Sequence, residues 1–425
     1  MKIGTIAKQI TPRPGIELSG FLVRKQPSLG IHDNLYARIL CIECNSQKIV
    51  WIHCDLIGFS NTMACDIRNA TAEKLGIASE NVFLSATHTH SGPATVRLRN
   101  CGDIDLDYIR FLQDTIVEGT MEAMSSQEEA SLYYSESIVN EISRDRRLAS
   151  PYSHIDNRLP ILAFIRKDGS CVAVLANYPV HNVGLTGENR HISADIAGFT
   201  ADFVSSCISG KPIVLITNGA CGNINPLVMD SDYSAVEHQG SLLGTAIVNQ
   251  FPRMEPCTDT DILPMFSKVQ LPLEELSLEK LEKMMDEHRE YYQSHVHDYT
   301  NDCIYGAMLG WYEETKNLIR NGNAPHIAEA YIHILKLGPV FFVGINAEVF
   351  SQMADKLRED SKLKRLFVVG YADGCIGYLP YGEIYEEGGY EVDSAYKYYG
   401  NFMIKQGGFE IVQDKILNVL NSMST

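Results

Sequence analysis

The sequence of 425 residues contains no apolar run of roughly 18 residues, so a membrane-spanning helix is not expected. It is short of positive charge: 36 Lys and Arg face 53 Asp and Glu, a formal net charge of −17. Nucleic acid and anionic membrane surfaces repel such a chain. Broad binding to either is therefore excluded, although a local basic pocket is not. Residues 1–10 lack the apolar segment of a secretion signal and read as a first strand. The eleven cysteines are odd in number and scattered. The one CxxC, Cys41 to Cys44, lies in a strand-like run, where positions i and i+3 face opposite sides; it makes a poor metal clamp or redox pair. Reduced, buried thiols in a cytoplasm are the expectation. No internal repeat and no Pro/Ser linker is visible. With 45% hydrophobic and 21% charged residues the chain is too apolar for low-complexity disorder and long enough for a large core.

What is there alternates between short β-like runs and helical patterns, the signature of a mixed α/β (α+β) fold. Residues 36–44 and 48–59 read as strands paired about Asn45-Ser46. Residues 81–86, 161–165, 171–178, 212–217, 330–337, 340–345 and 367–369 read as further strands. Helices are expected over 61–75, 105–124, 194–208, 236–251 and 402–420. From Leu276 the composition turns to Glu, Lys, Leu and Met, and two helices (276–292, 305–320) form an excursion over about 276–322. One domain of residues 1–425 with this helical insertion is the simplest organisation. The insertion is either a lid on a pocket or a contact with a second copy in a homo-oligomer.

Several strand ends carry reactive side chains. In Asn81-Val82-Phe83-Leu84-Ser85-Ala86-Thr87-His88-Thr89-His90-Ser91-Gly92-Pro93 an apolar strand delivers His-x-His into a Gly-Pro loop. Alternation lets both imidazoles face one pocket, as two metal ligands or as ligand plus acid/base. His295-Val296-His297 has the same spacing but follows a charged helical stretch, which makes it the weaker candidate. His181 stands at the tip of the strand ending Asn177-Tyr178-Pro179-Val180. Asp195 reads as a first-turn carboxylate with Ser193 as cap. The small residues of Gly219-Ala220-Cys221-Gly222-Asn223-Ile224-Asn225-Pro226 let backbone approach a ligand or simply turn. Cys221 has no visible partner for a nucleophilic role. Glu348 follows an apolar strand, as a cap or a site residue.

Six of these segments, in order, resemble the neutral/alkaline, non-lysosomal ceramidase family: Gly30-Ile31-His32-Asp33 with Leu35-Tyr36-Ala37-Arg38; Thr87-His88-Thr89-His90-Ser91-Gly92-Pro93; Pro179-Val180-His181; Gly222-Asn223-Ile224-Asn225-Pro226; Asn346-Ala347-Glu348; and Gly377-Tyr378 through Gly389-Tyr390-Glu391. The resemblance implies a mononuclear Zn2+ (zinc) amidase with metal ligands His88, His181, Glu348 and Tyr378. It places His90 at the reaction centre as acid/base, Arg146 (or its neighbour Arg147) facing the substrate carbonyl, and Tyr390, twelve positions after Tyr378, beside the oxyanion. Zinc acidifies its water toward ~7 and polarises the carbonyl, so attack by metal-activated water is the implied reaction.

Two departures shape the expectation. Where the family carries G-D-V-S-P-N, Asn225 replaces the Ser and Asn223 the Asp, which removes a serine nucleophile there and leaves both Asn as substrate-binding amides. The chain also ends soon after residue 420, without the C-terminal β-sandwich of secreted ceramidases. The expected substrate is therefore a small soluble amide, an N-acyl amine, rather than ceramide. Hydrolysis of an ester, lactone or sugar-linked group, or a non-catalytic binding protein retaining the pocket, are the alternatives.

Overall fold

The structure is a computed structural model that describes every residue except Lys25, His297 and Thr425, with Ser424 described in its backbone only. Three main sheets carry the fold. The first orders its strands Val82–Ala86, Gln47–Cys54, Tyr36–Cys44, Lys2–Gln9 and Glu128–Glu129. The second orders Ile213–Asn218, Cys171–Tyr178, Arg158–Ile165, Ser131–Ile138 and Glu255–Pro256. The third orders Leu366–Val369, Val340–Ile345, Ile327–Leu337 and Ile262–Pro272.

The backbone path is the same three times. A first strand pairs antiparallel with a hairpin, and a helix then crosses over to a last strand parallel to the hairpin's second strand. The crossover helices are Asn61–Leu75, Asp195–Cys207 and Gln352–Ser361; each unit closes with a second helix, Leu106–Ser125, Tyr233–Val248 or Gly408–Ser424. The sequence reading saw no repeat. The repeat is in topology, and side chains drift freely so long as the period-2 and period-3.6 burial patterns hold.

Local signals explain the elements. Asn45 and Ser46 take φ of 50° and 67°, the left-handed pair that matches the twist of a two-residue hairpin. The helix Asn61–Leu75 starts where Ser60 accepts from the Met63 N–H, and it stops at Gly76 in the left-handed conformation. Two long strands were missed from sequence, Ser131–Ile138 and Ile262–Pro272, the first strand of the second and third units, along with strands of two or three residues. Ser131–Ile138 alternates weakly, and Ile262–Pro272 carries two prolines, which read as breakers. The closing helix begins at Gly408 rather than 402.

Each sheet turns one face inward. Ile3, Leu40, Trp51 and Phe83 of the first sheet, Leu132, Phe164 and Leu175 of the second, and Leu335, Phe342 and Phe367 of the third form one shared cluster. Trp51 lies 4.3 Å from Phe83 and 4.9 Å from Phe342, centroid to centroid, and its indole N–H donates to Ser85 Oγ. The outer face of each sheet is covered by its own two helices. The helices Leu278–Ser294 and Tyr299–Arg320 form the expected excursion, inserted between the first and second strands of the third unit.

Trp51→Ala opens a void where two sheets meet, and the expected loss of unfolding free energy is about 3–5 kcal/mol. Urea unfolding checks it: a loss under ~1 kcal/mol would mean that the sheets do not share one core.

Candidate active site

In each unit the parallel strands point the same way, and their C-terminal ends meet. Asn218 joins all three: its amide donates to Thr87 O, and its carbonyl accepts from the Gly370 N–H. His88 follows Val82–Ala86 by two residues, in a left-handed turn at φ 61°. His181 follows Cys171–Tyr178 by three residues, and Glu348 follows Val340–Ile345 by three. One reactive side chain thus arrives from each unit.

The rings are oriented by backbone carbonyls. His88 Nδ1 lies 2.6 Å from Ile57 O and His181 Nδ1 lies 2.8 Å from Cys221 O, which assigns the proton to Nδ1 in both. Burial pulls His88 down to about 3, lowers His181 (with the Arg146 charge adding) and holds His90 well below the usual imidazole value, so all three are neutral near pH 7. The bare Nε2 lone pairs then face a carboxylate. Glu348 Oε2 is 3.1 Å from His181 Nε2 and 3.5 Å from His88 Nε2, and His90 Nε2 is 3.1 Å from His88 Nε2. Burial acts to raise the Glu348 carboxyl, and the hydroxyl that Tyr399 donates to it acts to lower it.

Among the described residues, His88, His90 and His181 form a group whose ligand atoms lie within 4.8 Å of one another. Converging lone pairs repel, and a cation between them removes the repulsion. Two zinc–ligand bonds of about 2.0 Å at a tetrahedral angle put donor atoms ~3.3 Å apart. The separations of Glu348 Oε2 from His181 Nε2 and from His88 Nε2 fit that spacing.

Two tyrosines missed by sequence reasoning complete the surroundings. Tyr371 stacks on His88, 3.9 Å between centroids, and its hydroxyl lies 3.2 Å from Glu348 Oε2. Tyr399 donates to Glu348 Oε1. The signal for Tyr371 is the repeat itself: it stands two residues past the last strand of its unit, the place His88 holds in the first, and shares the left-handed φ, 53°.

The other expected site residues divide. Arg146 Nη2 lies 3.2 Å from His181 Nε2 and 3.4 Å from the Tyr378 hydroxyl; Tyr378 pairs in register with Glu348. Arg147 instead bonds Glu391, Glu387 and Gly388 O. Tyr390 lines the cavity above the imidazoles, its ring 5.7 Å from that of Tyr378. His90 is buttressed by Gly20, whose φ of +98° brings its backbone so near the imidazole that a Cβ there would stand 2.4 Å from the ring. The two Asn are not brought to the histidines. Asn223 is consumed by Asp145, Ser351 and His154 O, so its amide has no donor left for a ligand, and Asn225 sits in the strand Ile224–Pro226 opposite Arg144; neither lines the cavity. Asn223 therefore has no free donor for the expected role as a substrate-binding amide. Cys221 is buried against the Tyr371 hydroxyl, and burial pushes its thiol up to about 12, unsuited to nucleophilic work. His295 is exposed at the end of the helix Leu278–Ser294, and His297 lies outside the described residues.

The cavity measures about 230 Å³ and is closed on one side by Thr300 and Ile304 of the helix Tyr299–Arg320. Asp195, read as a first-turn carboxylate, accepts the Gly184, Leu185 and Ile196 N–H groups, and Ser193 Oγ accepts from the Asp195 N–H.

Residues 1–214 match the family model described as neutral/alkaline non-lysosomal ceramidase, N-terminal. The chain belongs to that family. Its curated ceramidase relatives include neutral ceramidase of Pseudomonas aeruginosa, 25% identical over 231 residues (50% of this chain, 34% of that one), and neutral ceramidase B of Dictyostelium discoideum, 22% identical over 218 residues (46% and 30%). The match thus spans about a third of those relatives' length. The fold is that of the Pseudomonas aeruginosa neutral ceramidase crystal structure, with a TM-score of 0.78, 18% identity, and coverage of 99% of this chain and 74% of that one. A structure titled ceramidase complexed with C2 matches at a TM-score of 0.76 and 17% identity, covering 100% and 75%. No helix among the described residues is long and apolar enough to cross a membrane.

Gly222 allows the close approach of the Glu348 segment: a Cβ there would stand 2.5 Å from Glu348 O. Gly222→Ala is expected to cost about 1–3 kcal/mol by overpacking. Gly306→Ala, whose nearest contact is 3.4 Å away, is the control. Equal unfolding midpoints for the two variants would refute the close packing inferred here.

Proposed function

We propose that the protein is a zinc-dependent amidohydrolase that cleaves a linear N-acyl amine, with His88, His181 and Glu348 holding the metal and Tyr378 as fourth donor. The observation that carries this is Glu348 Oε2 standing 3.1 Å from His181 Nε2 and 3.5 Å from His88 Nε2, with each imidazole anchored through Nδ1 to a backbone carbonyl. Zinc bound there supplies an acidified water and a polarising charge for the amide carbonyl.

The chain's own residues supply the rest. His90 differs from the two ligands: its Nδ1 is buried without a hydrogen-bond partner, so it lacks the outer anchor that ligating histidines keep. That favours it as the group that moves a proton to the leaving amine. Arg146 stays charged, since Tyr378, Glu391 and Glu348 together outweigh its burial, and its fork faces the place where the carbonyl oxygen becomes an oxyanion. The Tyr390 hydroxyl is the second donor there. Tyr371 and Tyr399 fix the Glu348 carboxylate from behind. All eleven cysteines are free thiols, which favours a reducing compartment such as the cytoplasm.

Elemental analysis and release of amine from a panel of N-acyl amines test the reading together. About one zinc per chain is expected in the wild type. His88→Ala, His181→Ala and Glu348→Gln should each lose most of it. His90→Ala should keep zinc while turnover falls roughly 10²–10⁴-fold. Zinc loss in His90→Ala equal to that in His88→Ala would make His90 a ligand, and zinc uptake without hydrolysis of any N-acyl amine would end the amidase reading.

A further inference from the structure

The cavity over the imidazoles is two-sided. Toward the metal ligands its walls are phenols: Tyr378, Tyr390, Tyr398 and Tyr399. Away from them the walls are Leu22, Val23, Leu98 and Ile304, all apolar. Its volume of about 230 Å³ is below the roughly 300–1,000 Å³ of sites that enclose a drug-sized molecule. A larger cleft of about 630 Å³ adjoins it, and Val23 and Thr300 line both spaces. The outer cleft carries polar and charged groups, Gln26, Glu188, Arg190 and Asp298, on its walls.

The apolar wall is held in place. Glu314, on the same helix as Thr300 and Ile304, takes both Nη atoms of Arg97 at 3.1 and 2.9 Å, and Arg99 as well. Cys303 O accepts from Asn100 Nδ2 at 3.0 Å, and Trp311 Nε1 donates to Asn401 O at 3.0 Å. Arg97, Arg99 and Asn100 flank Leu98, so the two sides of the apolar compartment are tied to each other. Such a wall is set before substrate arrives and does not stretch to admit a longer chain.

On the amide-hydrolase reading above, we infer that the substrate joins one short apolar limb, seated between Leu22, Leu98 and Ile304, to a polar limb that reaches the outer cleft past Val23 and Thr300. Ile304 is the residue that measures the apolar limb. An amide with two long alkyl chains has one limb too long for the inner space and another unsuited to the outer one. N-acyl derivatives of small polar amines, with short acyl groups, match both.

The test needs a probe that reports chain length without turnover. Alkyl hydroxamic acids chelate zinc, and their acetyl, butanoyl, octanoyl and dodecanoyl members can be titrated calorimetrically into zinc-loaded protein. The wild type should bind the butanoyl probe at least about tenfold more tightly than the dodecanoyl one. Ile304→Ala should move the best chain to a longer member, and Ile304→Trp or Thr300→Trp to a shorter one, with zinc content unchanged. Equal or tighter binding of the dodecanoyl probe by the wild type, or an unmoved ranking in all three variants, overturns the inference. N-acylglycines of the same chain lengths separate it from the reading it rests on. Hydrolysis without chain preference sinks the chain gauge and leaves the amidase. A ranking that moves with Ile304 while neither an N-acylglycine nor any other N-acyl amine of the panel is hydrolysed supports the gauge and sinks the amidase.

Discussion

A carboxylate only 2% exposed cannot stay ionised inside a protein without opposite charge or several donors, and Glu348 is such a group. Its surroundings are drawn from the whole chain. His88 comes from the first unit, His181 from the second, Tyr371 and Tyr399 from the third. Its two oxygens are treated differently. Oε1 takes the Tyr399 hydroxyl, whereas Oε2 takes the Tyr371 hydroxyl and is also turned toward two imidazole nitrogens that carry no proton. Three parallel strand pairs, a central aromatic core and the Asn218 bridge bring those atoms together, and the close approach of lone pairs they enforce is repulsive by itself.

The threefold architecture makes that convergence possible. A parallel pair must be joined by a crossover, so each unit places a helix on its outer face and leaves its strand ends open. Three such units around one core direct three sets of open ends to the same point. The long connections between the first and second strands of each unit are free of this duty, and they arch over the ends instead. Residues 10–35 bring Gly20, Leu22 and Val23; residues 139–157 bring Arg146; residues 273–326 bring Thr300 and Ile304.

Much of this was readable in the sequence. The strand before Thr87-His88, the helix 61–75 and the two hairpins have strong periodicity and turn chemistry, and they fall where expected. That His88, His181 and Glu348 belong together came from the resemblance to the ceramidase family; read locally, each only follows an apolar run, where a loop hydrogen bond or a cap is an equal reading. What was illegible depends on contacts between units. Tyr371 and Tyr399 read as ordinary packed tyrosines, since nothing local says that a phenol will meet a carboxylate from a strand end elsewhere. Asn223 read as a site residue because it stands where the family string carries Asp, but its amide ties Asp145 to Ser351. The first strand of the third unit was lost because an edge strand tolerates proline, and that of the second because it alternates weakly.

The division between strand ends and connections has a consequence for how such a molecule can change. Shifting His88, His181 or Glu348 means shifting a strand whose other residues fill the shared core, and close packing transmits that shift to all three sheets. Shifting Ile304 or Leu22 disturbs only a connection. Binding chemistry on rigid strand ends and substrate contacts on variable excursions can therefore diverge at different rates. The helical pair of the third unit packs on its own small cluster around Trp311 and Tyr312. It can be remodelled without reopening the central core, which makes it the element best placed to set what the cavity admits.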